Sequence, residues 1–416
     1  MRIIVIGAGI VGMATAWWLA QDGHAVTVVD KESAPGRGTS FANGAQLSYS
    51  YVAPMASPSV LRNLPKWLLK SDSPIRFVPS ADPAQWRWIA QFLAACTAGR
   101  SAATTAKMLA LSLHSRAMLH AMMARTPMAF DHAANGKLIV HSSRANMDDA
   151  VAQLRVQAAL GCEQQALGAA ECLALEPGLS SIADRLVGGI YTPSEEVGDC
   201  RKLCEELMRV LAAAPFGVEF RLGTEVRRIV VQGGRVRAVE TAGGALEAEL
   251  YVLAAGTGSR ALGRGAGVRT NILPIRGYSI TAAVRQSNLA PVRSITDTHV
   301  KTVYAPLGGT LRVAGFAEIA GEGTDIRPDR IATLVDNVAR TFPGACDLED
   351  VHPWAGLRPA TPPDMPAIGR SRVENLLLNL GQGSLGFTLA AGSAKLLADL
   401  VAGRPPAVNA ADFAPA

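Results

Sequence analysis

The 416-residue sequence predicts an α/β chain in which a doubly wound parallel-sheet domain is interleaved with an α+β domain built on a mixed sheet. Three observations carry this expectation. The first thirty residues run as a β-branched strand, a glycine turn, an apolar helix and a second β-branched strand. Strand-and-glycine units of the same kind return near residues 250 and 380. Between them lie segments that alternate or run apolar as sheet strands do.

The elements follow in order. Arg2 to Ile6 is short, β-branched and bounded by glycine, as a strand buried on both faces should be. Gly7-Ala-Gly9-Ile10-Val11-Gly12 then gives GxGxxG, and Met13 to Gln21 continues as a buried helix. Gly7 permits the tight turn, Gly9 lets a pyrophosphate approach the backbone, and Gly12 lets helix and strand pack closely. The helix N-terminus offers free N–H groups and partial positive charge to phosphates. Gly23 ends the helix, Val26 to Val29 forms the second strand, and Asp30 at its tip can accept hydrogen bonds from a ribose. The acid lies 18 positions beyond Gly12, near the ~20 of a Rossmann-like dinucleotide site. An acid there, instead of Arg, argues for FAD or NAD over NADP. Ile3 to Ala20 is apolar enough to pass for a signal or anchor, but its glycines and the polar residues that follow favour a cytoplasmic chain with no spanning helix.

Composition narrows the function classes. Forty Lys and Arg against thirty-five Asp and Glu leave a net charge of +5 without any basic block, which excludes a phosphate-tracking nucleic-acid binder. Six cysteines form no CxxC, and seven histidines form no HExxH and no Cys/His cluster. Buried thiols in a reducing compartment are expected, and a metal is not.

Further along, Thr39 to Ser48 is small, polar and glycine-containing, as a loop lying along an extended cofactor should be. Ala248 to Gly258 is a strand entering a glycine turn. Asn375 to Leu380, Gly381 to Gly386 and Phe387 to Val401 form a strand, a glycine loop and an apolar helix whose N-terminus can face an anionic group. Such returns from distant sequence suit FAD, which needs contacts along its length. The cofactor domain is expected over residues 1–50, 190–258 and 350–416, and the second domain over 51–189 and 259–349. Strands of the second domain are expected at Gly136 to Ser142, Leu186 to Tyr191, Ile272 to Val284, Thr302 to Ala305 and Leu311 to Ala317, with helices over 84–125 covering one side.

Together, GAGIVG with Asp30, SFANGAQLS, Glu195 to Cys200, Arg276 to Ser279, Arg312 to Glu318, Trp354 to Pro362 and Gly381 to Thr388 resemble the bacterial FAD-dependent D-amino-acid dehydrogenases (small subunit). These belong to the glycine-oxidase and D-amino-acid-oxidase flavoprotein superfamily. The usual SAANAGQIS of that family is SFANGAQLS here, and Ser50 stands where it has Gly. The resemblance implies noncovalent FAD held by Gly7, Gly9, Ile10, Val11, Gly12, Asp30, Lys31, Ser40, Asn43, Gly44, Gln46, Val226, Gly256, Gly383, Ser384, Leu385 and Gly386. No Cys occurs in 347–416 and no His in 33–60, where covalent attachment would occur.

An amino-acid substrate presents a carboxylate, and in an apolar pocket that charge needs a bidentate guanidinium. Arg358, fixed by Pro359, resembles the carboxylate-binding Arg of the superfamily. Tyr278 and Tyr51 are the other candidate substrate contacts, while His352 reads as structural. The resemblance implies oxidative deamination of a D-amino acid to a 2-oxo acid and ammonia. Hydride leaves Cα for flavin N5, and a quinone or another acceptor takes the electrons. The alternatives are a related oxidase that uses O2, or a dehydrogenase narrowed to glycine, D-proline or hydroxyproline, and an FAD-bearing subunit that needs partner chains, as a hetero- or homo-oligomer.

Trp67, Trp86 and Trp88 lie in a stretch with Arg62, Lys66, Lys70, Arg76 and Arg87, around Leu61, Leu64, Leu68 and Leu69. That mixture suits peripheral contact with an anionic membrane, on the cytoplasmic face of the inner membrane.

Overall fold

A computed structural model describes residues 1–58, 60–61 and 75–415. Its first sheet has the order 367–370, 376–380, 250–253, 2–6, 25–29, 219–221. Arg2–Ile6 lies at its centre, parallel to both Ala25–Val29 and Leu250–Leu253. Strands buried on both faces read as continuous apolar runs, which is why Ile3 to Ile6 shows no alternation. Ala367–Arg370 is antiparallel to Leu376–Leu380 and closes one edge.

The first helix, Ile10–Gln21, is apolar all round because it is covered all round. It contacts the sheet, the helix Cys200–Ala212 and the C-terminal helix Gly386–Ala402. That last helix has the length and apolarity of a membrane span, yet most of it is buried inside the fold. At Gly392 the helix Ala98–Arg125 comes so close that a Cβ would sit 2.7 Å from the Ser115 Cα. The helix 98–125 therefore belongs with the cofactor-domain core and not, as its place in the sequence suggests, with the second domain. Small residues set its depth, a signal that apolar periodicity does not carry.

The second sheet has the order 346–360, 273–284, 310–319, 302–307, 294–297, 137–141, 188–192, 165–168, with Ile75–Phe77 pairing beside 310–319. All five expected strands are present. Two domain boundaries move. The strand Cys346–Ala360 pairs along its length with Leu273–Val284, so residues 350–360 belong to the second sheet. Gly188–Thr192 pairs with Lys137–His141 there too. The helix Pro328–Thr341 packs on one face of this sheet and leaves the other to the loop that follows Gly38.

In the stretch rich in Trp and cations, Arg62, Leu64, Lys66, Trp67, Leu68, Leu69 and Lys70 lie outside the described residues. Trp88 does not face outward. It is buried, and its indole N–H donates to the Ala360 carbonyl at 3.0 Å. Trp86 is half exposed. All six cysteines are buried and unpaired.

Candidate active site

The turn after the first strand is built for a close approach. Gly7 has φ +116°, and a Cβ there would lie 2.5 Å from the Ala254 carbonyl oxygen. A Cβ on Gly12 would lie 1.9 Å from the Gly7 carbonyl oxygen. Gly9 meets only the Ser40 hydroxyl, so the space above it is open. The Ser40 hydroxyl accepts from the Ile10 N–H at 3.1 Å, and Val11 is half-buried beside it.

Asp30 stands at the mouth of this turn. Its carboxylate accepts from the N–H groups of Ala8 (2.6 Å) and Glu32 (2.9 Å), which aims it back toward the glycines. The segment after Arg221 runs alongside, with Thr224 N–H donating to the Asp30 carbonyl, while Val226, two residues on, opens a strand that pairs with Thr241. Lys31 is exposed and 4.0 Å from Glu32. Gly256, at φ +56°, closes the turn after the strand Leu250–Leu253. Gly7, Gly12, Asp30 and the turn at Gly256 meet at the carboxyl ends of parallel strands, where dinucleotides bind.

The loop 39–50 crosses the second sheet's open face, tied at each step. Thr39 donates to the Leu357 carbonyl and Ser279 to the Ala42 carbonyl, both at 2.6 Å. Asn43 accepts from the Ala45 N–H through its side chain, and a Cβ on Gly44 would touch Val303. Gln46 donates to the Ser294 hydroxyl at 2.6 Å, and Gln46–Leu47 pairs with Glu196–Val197. Ser48 N–H then donates to the Thr388 hydroxyl on the C-terminal helix.

Two buried cations hold this loop, and neither was assigned a role from the sequence. Arg312 donates to the Asn43 carbonyl (3.1 Å) and the Thr281 hydroxyl (2.6 Å), with Asp199 at 3.4 Å. Its signal is visible: a charge within the otherwise apolar run Leu311 to Ala317. Lys137 donates to Gln46 (3.0 Å) and Ser48 (2.8 Å), and burial pushes its ammonium down to about 8. Its ordinary value is 10.5, so between pH 8 and 10.5 the unfolded chain binds the extra proton and stability rises with pH. At ~1.4 kcal/mol per unit this gain is about 3 kcal/mol. Denaturant unfolding of wild type and Lys137→Met should therefore show the wild type gaining by that amount across the window. Parallel pH curves would refute it.

Arg358 sits where the loop 39–50 and the C-terminal glycine loop converge. The loop is anchored at the neighbouring Leu357, and Ala360 bridges to Gln382. The guanidinium lies directly over Gly277, where a Cβ would meet its terminal nitrogens at 2.5 and 2.8 Å. One terminal nitrogen donates to the Phe316 carbonyl at 2.8 Å; among the described residues the other N–H groups have no protein partner. Burial lowers its pKa, opposed by the nearby Asp364. Phe316 (φ +67°) and Asp364 (φ +60°) are both left-handed non-glycine residues, and both adjoin Arg358. Strain of this kind gathers at functional sites.

Tyr278 does not join Arg358. Opposite residues in an antiparallel ladder share a face, and Ile275 opposes Arg358 while Ala355 opposes Tyr278. Odd and even positions point apart, so Tyr278 faces the helix 328–341 side. It is fully buried there, donating to Glu318 at 3.0 Å. The substrate-contact role expected of it is therefore corrected to a core role. Ser279, one position on, is the residue that faces the loop. Tyr51 is exposed, with the Lys137 ammonium 4.5 Å from its ring, and no described contact joins it to Arg358. His352 is exposed on its strand.

The C-terminal loop completes the arrangement. Gly381 (φ +83°) and Gly383 (φ +57°) turn the chain into the helix Gly386–Ala402. A Cβ on Gly383 would lie 2.8 Å from Asp364. Ser384 is exposed and Leu385 and Gly386 are half-buried. The helix N-terminus has no side-chain cap, leaving its N–H groups for an anionic ligand edge.

A tight glycine cradle, an acid aimed at it, a long tethered loop and an uncapped helix end suit an extended flavin dinucleotide. Comparison with known proteins agrees. The sequence profile of the family "FAD dependent oxidoreductase" matches residues 2–400. The chain is 48% identical to D-amino acid dehydrogenase 2 of Ralstonia nicotianae, covering 100% of this chain and 99% of that protein. It is 43% identical to D-amino acid dehydrogenase 2 of Pseudomonas aeruginosa, covering 100% and 98%. Among solved structures, glycine oxidase from Geobacillus kaustophilus has a TM-score of 0.78 at 21% identity, covering 100% and 98%. L-proline dehydrogenase from P. horikoshii has a TM-score of 0.77 at 16% identity, covering 100% and 96%. At those identities the structures speak for the fold alone. The chain belongs to the FAD-dependent oxidoreductase family and, within it, groups with the D-amino acid dehydrogenases.

Proposed function

We propose that this chain oxidises D-amino acids to 2-oxo acids and ammonia and passes the electrons to a quinone or another acceptor. One observation carries the reading. Among the described residues, Arg358 keeps guanidinium donors without a partner at the convergence of the two loops that would border a flavin, as a carboxylate anchor must.

Gly7 to Gly12, Asp30, Ser40, the loop 43–46 and the helix end at Gly386 would hold FAD. When bound, it supplies a two-electron acceptor for the hydrogen on Cα. The protein's part is orientation. Arg358 fixes the substrate carboxylate, and the fixed loop 39–50 closes the pocket wall and sets which Cα substituent faces the acceptor. The substrate amine must be neutral for its lone pair to assist, and the imino acid released is hydrolysed by water. Anaerobic mixing with D- and L-amino acids tests the reading: flavin absorbance should bleach with D-enantiomers only. Bleaching by L-enantiomers, or by none, overturns it.

Asp30→Ala should weaken FAD binding by ~1–3 kcal/mol, the cost of leaving a ribose hydroxyl without its acceptor. That is roughly 5- to 150-fold in the dissociation constant, read from recovery of free-flavin fluorescence. Retention of wild-type affinity would remove Asp30 from the site.

Docking on an anionic bilayer, at the cytoplasmic face of the inner membrane, fits a quinone-linked role. Leu61, Val78, Trp86 and Leu93 are large exposed apolar residues of the sequence stretch 61–93, which also carries exposed Arg76 and Arg87. Anionic liposomes should carry the protein upward in a density gradient at low salt. A protein that stays at the bottom overturns the docking.

A further inference from the structure

Outside the flavin cradle, a second constellation is assembled from three separate stretches of chain. His120 lies on the helix Ala98–Arg125, His132 in the loop beyond it, and Glu196 on the short strand paired with Gln46–Leu47. Glu196 is 1% exposed. Its two oxygens face the two imidazoles separately: His120 Nε2 at 2.6 Å from Oε1 and His132 Nε2 at 3.0 Å from Oε2. The three ligand atoms lie within 4.8 Å of one another.

We propose that His120, His132 and Glu196 form a site for a divalent transition-metal ion of the Zn2+ class. Two imidazole nitrogens and a carboxylate are the donor set that suits Zn2+. With metal–ligand bonds of ~2.0–2.1 Å, the donor atoms of a tetrahedron stand roughly 3.3 Å apart. Small rotations of two side chains reach that spacing. His120 is exposed and His132 half-buried, so the ion has an entry path and a place for a water as fourth ligand. Glu196 is anchored from behind by the Tyr49 hydroxyl, which donates to Oε2 at 3.2 Å.

Arg116 is the competitor. Its Nε stands 3.4 Å from Oε1, and its side chain is 36% exposed. The guanidinium neutralises Glu196 when no ion is present and can swing into solvent when one arrives. A structural salt bridge and a metal site respond oppositely to removal of this guanidinium: the first is weakened, the second is freed of its competitor. The bound ion would clasp the helix 98–125 to the strand that backs the flavin loop.

The FAD-loaded full chain is dialysed against micromolar Zn2+ and assayed for metal content and melting temperature. Wild type should hold one Zn2+ per chain and melt higher with it. His120→Ala combined with His132→Ala should weaken binding at least tenfold and abolish the shift. The variant's flavin content checks that it folds. Arg116→Gln should bind Zn2+ about tenfold more tightly than wild type. The proposal fails if Zn2+ retention is absent in wild type, is unchanged in the double variant, or is not strengthened by Arg116→Gln.

Discussion

Arg358→Leu should leave a yellow, folded protein that D-amino acids barely reduce. Among the described residues the side chain makes no salt bridge and one hydrogen bond, to the Phe316 carbonyl, and its other protein interaction is with the charge of the nearby Asp364. The cost falls on the substrate, whose carboxylate would enter a pocket with no matching charge. Truncating one partner of a desolvated charge pair costs ~2–5 kcal/mol, or roughly 30- to 5,000-fold in rate at subsaturating substrate. Stopped-flow bleaching of the flavin under anaerobic conditions measures it. Arg358→Lys should recover little, since an ammonium offers a point charge where a planar fork is needed. Gly277→Ala is a companion. Its Cβ would occupy the space of the terminal nitrogens 2.5 Å away, displacing the guanidinium without deleting it, so the loss should appear chiefly in KM. Near-normal reduction of Arg358→Leu removes it as the carboxylate anchor.

The contrast between Arg358 and Tyr278 shows what a sequence yields about a site. Both sit in recognisable motifs, and the two motifs lie on strands that pair with each other. Which face each side chain takes depends on cross-strand register. Leu357 and Arg358 oppose Arg276 and Ile275, and this pairing fixes Arg358 over Gly277 and turns Tyr278 away. No local spacing encodes a pairing between residues eighty apart. The first thirty residues were legible for the opposite reason: strand, turn, helix and acid are contiguous, and every constraint acts within one βαβ unit. Arg312 and Lys137 mark a middle case. Each is the one charge in an apolar run, Leu311 to Ala317 and Lys137 to Val140, which announces a buried partner without naming it. Their partners, the Asn43 carbonyl and the Gln46 and Ser48 side chains, lie on a loop whose path is set by the sheet beneath it. The His120, His132 and Glu196 cluster was illegible altogether, since its members come from a helix, a loop and a strand brought together only by tertiary packing.

Gly12→Ala should yield a chain that purifies without flavin, or scarcely folds. Gly12 lies in the first turn of the helix Ile10–Gln21, packed against the turn at Gly7. An added methyl would sit 1.9 Å from the Gly7 carbonyl oxygen and 2.9 Å from its carbon. Both are backbone atoms, so no flexible side chain can yield. Gly7 cannot retreat either. Its N–H is bonded to the Val29 carbonyl at 2.8 Å, and on its other side the Ala254 carbonyl already lies against its Cα. The helix must lift from the strand, which breaks the seating of Val5 and Met13 in the core. Overpacking of a rigid site costs ~1–3 kcal/mol in stability and sometimes more, and the lifted helix end carries the phosphate-binding N–H groups out of place. Flavin affinity should therefore fall further than stability does. Measuring the ratio of flavin to protein absorbance in the purified variant, alongside its denaturant midpoint, separates the two effects. Gly9→Ala is the control. Its Cβ would meet only the Ser40 hydroxyl, at 3.5 Å, so the protein should fold normally and lose flavin affinity alone. Equal flavin content in wild type and both variants would mean that the pyrophosphate does not lie over this turn.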